Sequence, residues 1–417
     1  MRMSSTLLLT LAVAALSASL AHAGDDHRHG DHHHADKKND PSIQLGPRPA
    51  YLIEGMDEGK LKERLKSCEN GPFYRSDFSI AHRGAPLQLP EHTKESYEAG
   101  AKMGAGIVEC DVSFTSDGEL VCRHSECDLH TTTNIVNTPL NAKCSVPWSG
   151  ANSAPKCCTS DITSAEYKTL MGKMDASVPA ASTPAGYLGG TANWRTDLYT
   201  GRGTLLTLRE SIRLNKELGV KHTPELKSGN PDRIKAIFGS QAGYAQKMID
   251  ILKDEGVDPR DVWAQSFDPA DIAYWIKNEP KFGKQAVYLE DFDFAKPARK
   301  TLEELKQLRK DGVRIFAPPI PTLLAVTDAG EIVPSQYARD IRAAGLDIIT
   351  WSFERADLRA GAAKAGYYYG FDPTGKALKK DSDMYKALHV LARDVKIIGL
   401  FSDWPATVSY YASCMGY

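Results

Sequence analysis

Short apolar runs alternate with longer stretches of helical periodicity along most of the chain. The strand-type runs fall at 78–82, 106–112, 119–124, 221–227, 261–266, 285–289, 313–317, 346–351 and 396–402. Helix-type patterns occupy 93–103, 207–218, 233–255, 269–277, 300–310, 335–344 and 382–392. Strands that each return through a helix make a parallel sheet, and this alternation predicts a TIM (β/α)8 barrel. Nine strand candidates compete for eight places, so one of 119–124 and 313–317 lies outside the barrel. From residue 42 to 417 no Pro/Gly/Ser-rich linker and no internal repeat divides the chain, which predicts one domain.

The pattern breaks once. Between His124 and Leu205 periodicity is weak and Gly, Ser, Thr and Pro are frequent. A loop of this length inside a compact domain is usually functional, so residues of about 127–204 are expected to form an insertion or lid over the strand ends. Four of the eight cysteines, 127, 144, 157 and 158, lie within it, and the others are 68, 110, 122 and 414. Their spacing matches no zinc site, and an even count in an exported chain favours disulfides. The termini of a barrel lie near each other, which makes Cys68 with Cys414 the first expected pair; the rest belong in and around the insertion.

The polar residues that interrupt apolar strands carry the chemistry. His82-Arg83-Gly84 ends one run, Glu109-x-Asp111 stands within the next, and His124 ends a third. Residues two apart on a strand face the same side, so Glu109 and Asp111 project together as a two-carboxylate half-site while Cys110 turns away. Charges at the end of a buried strand cost desolvation energy unless a ligand or metal compensates. Glu225 with Lys227, Gln265, Trp351 and Asp403 fall at further strand ends, where barrel enzymes build their sites.

Composition narrows the setting. Residues 1–23 have Arg2, a short apolar run and Ala21-His22-Ala23, which read as a secretory signal peptide; the apolar run is too short for a membrane span. Residues 24–41, rich in His and acids, are expected to be a disordered, solvated segment rather than a Zn²⁺ scavenger. Hydrophobic residues make up 42% of the chain, enough for a large core. With 51 Lys and Arg against 53 Asp and Glu, nothing points to nucleic acid or an anionic membrane surface. The expected location is the periplasm or the exterior.

The order HRG (82–84), PEHT (90–93), ExD (109–111), His124 followed by TTT (131–133), HTPELK (222–227), QSF (265–267), TWSFE (350–354) and FSDWP (401–405) resembles the glycerophosphodiester phosphodiesterase family. The resemblance implies a TIM barrel that hydrolyses glycerophosphodiesters, such as glycerophosphocholine, to glycerol 3-phosphate and an alcohol. It implies Glu109, Asp111 and Glu225 as ligands of one divalent cation, with Ca²⁺ the first choice and Mg²⁺ the second; three hard oxygen donors agree. By the same resemblance His82 and His124 are the acid/base pair, Arg83 and Lys227 hold the phosphate, and Phe267 and Trp351 line the pocket. Two departures stand out: His92 replaces a common Asn and opens a helix, and Ser125 replaces the Asp that usually follows the second histidine. A related barrel acting on lysophospholipids, of the phospholipase D or sphingomyelinase D type, and a non-catalytic periplasmic binder of metal or phosphodiester are the competing readings.

Overall fold

The structure, a computed structural model, describes residues 39–417. The signal peptide read over 1–23 and the His-rich stretch as far as Lys38 lie outside the described residues. The described chain is already tied down ahead of residue 42: Phe73 donates its N–H to the Asn39 side chain at 2.9 Å and accepts from the Asp40 N–H at 2.8 Å.

Eight parallel strands close on themselves: β1 (Ser76–Ala81), β2 (Ala105–Phe114), β3 (Lys221–Leu226), β4 (Gln265–Ser266), β5 (Val287–Leu289), β6 (Ile315–Ala317), β7 (Asp347–Phe353) and β8 (Gly399–Ser402). β8 pairs back onto β1 at Phe401 opposite Ile80, which completes the barrel. Of the two doubtful strands, 313–317 supplies β6. The other shortens to Leu120–Cys122 and runs antiparallel to β2 on the outside, with Val112 opposite Cys122. A three-residue turn, Ser116-Asp117-Gly118, closed by the Thr115 N–H donating to the Glu119 carbonyl at 2.9 Å, forces that hairpin, whereas a parallel neighbour needs a crossover of a dozen residues.

The connecting helices begin where side chains can cap them. Thr207 and Thr301 accept the N–H of Glu210 and Glu304, whose carboxylates reach back, as T-x-x-E predicts. One predicted helix is corrected: 233–255 is two helices, Pro231–Phe238 and Gln241–Asp254. Gly239 turns out of the first at φ +78°, and Ser240 caps the second by accepting from Gly243 at 3.0 Å. Among the segments that went unpredicted are helices Arg48–Glu54 and Lys60–Lys66, and helix Pro405–Met415, which is apolar on nearly every face because it is buried.

All eight cysteines pair: 68 with 414, 110 with 122, 127 with 158, and 144 with 157. The Cys68–Cys414 pairing expected from barrel geometry is present, tying the two ends of the described chain. Two bridges lie inside the insertion, which also has its own small core of Leu129, Ile135, Val136, Ile162, Tyr167, Leu170, Tyr187 and Leu205. That core, together with the bridges, lets a segment of weak periodicity hold a fixed shape. No helix among the described residues is long and apolar enough to cross a membrane.

Candidate active site

Alternation along the strands builds the site in layers. Ile80, Ile107, Val287, Leu289, Ile315, Ala317, Ile349 and Phe401 form one buried cluster that fills the barrel. Two residues further along four of these strand faces stand His82, Glu109, Trp351 and Asp403. Register adds the rest: Asp111 is opposite Glu225, and Glu225 opposite Gln265. An apolar layer thus carries a polar layer at the strands' C-terminal ends.

Glu109, Asp111 and Glu225 are all buried and offer oxygens within 4.8 Å of one another. Burial, then the charges of Asp111 and Glu225, push the Glu109 carboxyl well above its ordinary range. Burial also raises Glu225, to about 7, against the pull of Lys227, whose Nζ is 2.5 Å away. Asp111 goes the other way: burial is outweighed by Lys227, His92 and Arg83, which hold it ionised. The Asp111 Oδ2 atom accepts from His92 Nε2 at 2.8 Å, while its Oδ1, buried, has no hydrogen-bond partner. Three crowded carboxylates with an unused buried oxygen fit a hard divalent cation.

His92, the residue that stands at a helix start in place of the common Asn, buttresses this cluster. Its Nδ1 accepts from the Tyr97 hydroxyl at 3.0 Å, which fixes the proton on Nε2, facing Asp111. Arg83 sits at φ +55°, and this turn lets its N–H donate to Glu109 at 2.9 Å while its side chain meets Glu91 at 2.9 Å and Asp111 at 3.4 Å. Gly84 follows at φ +98°, so close to Ser96 that a Cβ would fall 2.3 Å from its Oγ; this is why glycine ends the HRG motif.

His82 is held from behind. Its Nδ1 donates to Asp403 Oδ1 at 2.5 Å, since a carboxylate can only accept, and its Nε2 accepts from Ser352 at 3.3 Å. Nε2 also lies 3.8 Å from Glu109. Burial, followed by the Arg83 charge, lowers the His82 pKa to about 4 despite Asp403. His124 is lowered well below its ordinary value by burial and by the charges of Arg83 and Lys227. Where the sequence lacks an Asp at 125, Asp128 stands nearby, lining the same cavity and accepting from the Ser125 N–H at 3.1 Å.

A cavity of about 440 Å³ brings these groups together; His82, Arg83, Glu109, His124, Glu225, Lys227, Phe267 and Trp351 all line it, and Asp111 stands behind them at the carboxylate cluster. Phe267 meets Trp351 edge to face with centroids 5.7 Å apart, and the Lys227 ammonium lies 5.7 Å from the Phe267 ring. The insertion adds Thr131, Thr132, Asp175 and Ser177 to the wall.

A model of the glycerophosphoryl diester phosphodiesterase family matches residues 82–407. The chain belongs to that family. It is accordingly a phosphodiester hydrolase of the glycerophosphodiester class. A fungal relative from Arthroderma benhamiae, called only an extracellular protein, is 39% identical over 246 residues, 58% of this chain and 99% of the relative. The probable glycerophosphodiester phosphodiesterase 1 of Mycobacterium tuberculosis is 55% identical over 47 residues, 11% of this chain and 17% of that protein. A crystal structure from Silicibacter pomeroyi, of a protein assigned to the glycerophosphoryl diester phosphodiesterases, aligns over 85% of this chain and 97% of its own. Its TM-score is 0.53 at 16% identity, which shows the shared fold.

Sequence reasoning passed over four residues of this phosphodiesterase's site. Glu91 is the acid of PEHT, and burial, although it opposes ionisation, is outweighed by Arg83 and Arg355. Arg355 directly follows TWSFE and reaches Asp403 at 2.9 Å and Asp175 at 3.0 Å. Asp175 and Tyr368 enter from segments with no periodic signal. PEHT was the one readable hint, since a carboxylate two residues before a capping Thr has no local partner.

Proposed function

We propose that this chain hydrolyses glycerophosphodiesters such as glycerophosphocholine to glycerol 3-phosphate and an alcohol, with one divalent cation, Ca²⁺ first and Mg²⁺ second, on Glu109, Asp111 and Glu225. The observation that carries the reading is the triad of buried carboxylates beside a histidine whose far nitrogen is already committed to Asp403. When bound, the cation neutralises charge on the diester oxygens. Arg83 and Lys227 add positive charge around the phosphate, Arg as a fork and Lys as a point charge.

One of His82 and His124 takes the proton of the attacking hydroxyl, from water or from the substrate's own glycerol, as the new P–O bond forms. The other gives a proton to the departing alcohol as the old P–O bond breaks; where the glycerol hydroxyl attacks, the product is a cyclic phosphate, and water then opens it to glycerol 3-phosphate with the two proton transfers reversed. Asp403 suits His82 to either duty: with Nδ1–H held, Nε2 accepts, and once protonated the imidazolium is balanced by the carboxylate. Phe267 and Trp351 offer apolar faces to the glycerol carbons.

We infer export as well. All eight cysteines are bridged, the fungal relative is called extracellular, and the leader pattern of residues 1–23 fits. A lipid-borne diester is the second reading, favoured by the exposure of Val178, Leu198 and Tyr199 on the insertion. The test is incubation of the purified protein with glycerophosphocholine, with and without EDTA, followed by Ca²⁺, Mg²⁺ or Zn²⁺ singly, measuring glycerol 3-phosphate. Release abolished by EDTA and restored by a hard cation is expected. Lysophosphatidylcholine turned over in preference to glycerophosphocholine would transfer the assignment to the lipid.

A further inference from the structure

The insertion does more than narrow the cavity. His82 Nδ1 donates to Asp403 Oδ1 at 2.5 Å, and the other Asp403 oxygen accepts from Arg355 Nη1 at 2.9 Å. The second nitrogen of the same guanidinium donates to Asp175 Oδ2, on the insertion, at 3.0 Å. Asp175 Oδ1 in turn accepts from Arg195 at 2.6 Å, and Arg195 also donates to the Pro86 carbonyl just past the HRG turn. His82 and Asp403 are buried, and the Arg355 and Asp175 side chains keep only 18% and 19% exposure.

We propose that Asp175 is a positioning residue for His82: acting through Arg355 and Asp403, the insertion holds the imidazole in its working orientation. The inference rests on the reading of His82 as a proton-transfer residue. A guanidinium is a planar fork, so two carboxylates bound to its two ends are held at a fixed mutual angle. Asp403 is therefore aimed by Asp175 as well as by its own strand. Without Asp175, Arg355 Nη2 has Glu91 at 3.5 Å to turn toward, and Arg83 already claims that carboxylate at 2.9 Å. Turning draws Nη1 away from Asp403 and loosens the carboxylate that holds His82 Nδ1.

Anchoring of the insertion does not require this chain. Asp161 pairs with Arg233 at 2.8 Å, Thr204 binds Glu95 at 2.8 Å, and two disulfides brace the interior of the insertion. A buried ion-pair chain is a costly way to dock a loop that is already docked, and its course ends on His82 rather than on the barrel wall.

The test is steady-state kinetics of the full-length enzyme on glycerophosphocholine with the cation that restores activity after EDTA. Asp175→Asn is expected to lower kcat by about tenfold to a hundredfold, the range seen when an orienting partner is lost, with KM changed less than about twofold. Asp175→Glu should recover most of the loss. In an Asp403→Asn background Asp175→Asn should cost nothing further, and Asp161→Asn, which removes a different anchor, should leave kcat alone. An unchanged kcat in Asp175→Asn overturns the inference, as does a rise in KM alone, which would make Arg355 a substrate contact, or a full loss on top of Asp403→Asn. If Asp175→Asn does not fold, Arg355→Lys reads the same link, since it keeps the charge and removes the fork: lowered kcat supports the inference and unchanged kcat overturns it. His82→Ala separates the two levels. An inactive His82→Ala beside an unaffected Asp175→Asn sinks only this inference, whereas an active His82→Ala sinks the assignment of His82 as well.

Discussion

At the scale of single residues, the polar groups at the strand ends were readable because each breaks an apolar pattern at a cost. Glu109 and Asp111 within GIVECDV, and His82 after FSIA, could stand there only if something repaid their desolvation. The structure places His82 and Glu109, with Glu225, Lys227 and His124, around one cavity, and Asp111 behind them at the carboxylate cluster. If the two imidazoles move the protons, His82→Ala and His124→Ala each lower kcat by about 10² to 10⁴, measured as glycerol 3-phosphate release at saturating cation. Near-normal turnover in both would remove the assignment. Arg355 and Asp175 were not readable, because an Arg after a strand or an Asp in a loop is ordinarily solvated; only their joint reach to Asp403 gives them meaning.

At the scale of elements, alternation and caps located nearly every barrel strand and helix, and the errors fall where local chemistry competes. Residues 233–255 keep an apolar face throughout, yet Gly239 and Ser240 split the run. Ser240→Ala should remove the cap and cost about 1 kcal/mol in denaturant unfolding, with the slope unchanged. No change would mean that the second helix is held by packing alone, through Tyr244, Met248 and Leu252. The strand 119–124 had the composition of a barrel strand, and its place outside was decided by a turn too short for a crossover. Helix Pro405–Met415 escaped notice because burial on all sides erases amphipathic contrast.

At the scale of the whole molecule, pH and covalent closure set the stability. His222, on the outer side of β3, is buried and its pKa is lowered to about 4 by that burial. A group with a depressed folded pKa leaves the unfolded chain to take up the proton first as pH falls below 6.5. Its contribution, on the order of 3 kcal/mol, is complete above that pH and fades toward pH 4. His222→Gln should therefore flatten the fall of Tm between pH 7 and 4.5. Asp271 works in the opposite sense, since burial raises it to about 6 and its contribution is lost as pH rises through that value; an unflattened His222→Gln curve would show that other groups govern acid unfolding. The Cys68–Cys414 bridge spans 346 residues of chain. Replacing both with Ser should cost about 2–5 kcal/mol, read by denaturant unfolding without reductant, and an unchanged midpoint would mean that helix packing alone holds the two ends.

The amino-acid order alone determined the barrel and the Glu109/Asp111 half-site, because each follows from a two-residue strand period, a helical period or a desolvation cost, all local quantities; Glu225 as a third ligand and the pairing of His82 with His124 came from the resemblance to the family. It also favoured disulfides over free thiols and made Cys68 with Cys414 the first expected pair, which the structure contains. Only the tertiary structure decided which strand stays outside, how the remaining six cysteines pair, that His92 braces Asp111, and that Asp175 reaches His82 through two other side chains. Those features depend on contacts between residues up to 321 positions apart, as His82 is from Asp403, and no periodicity records which distant side chains share a cavity.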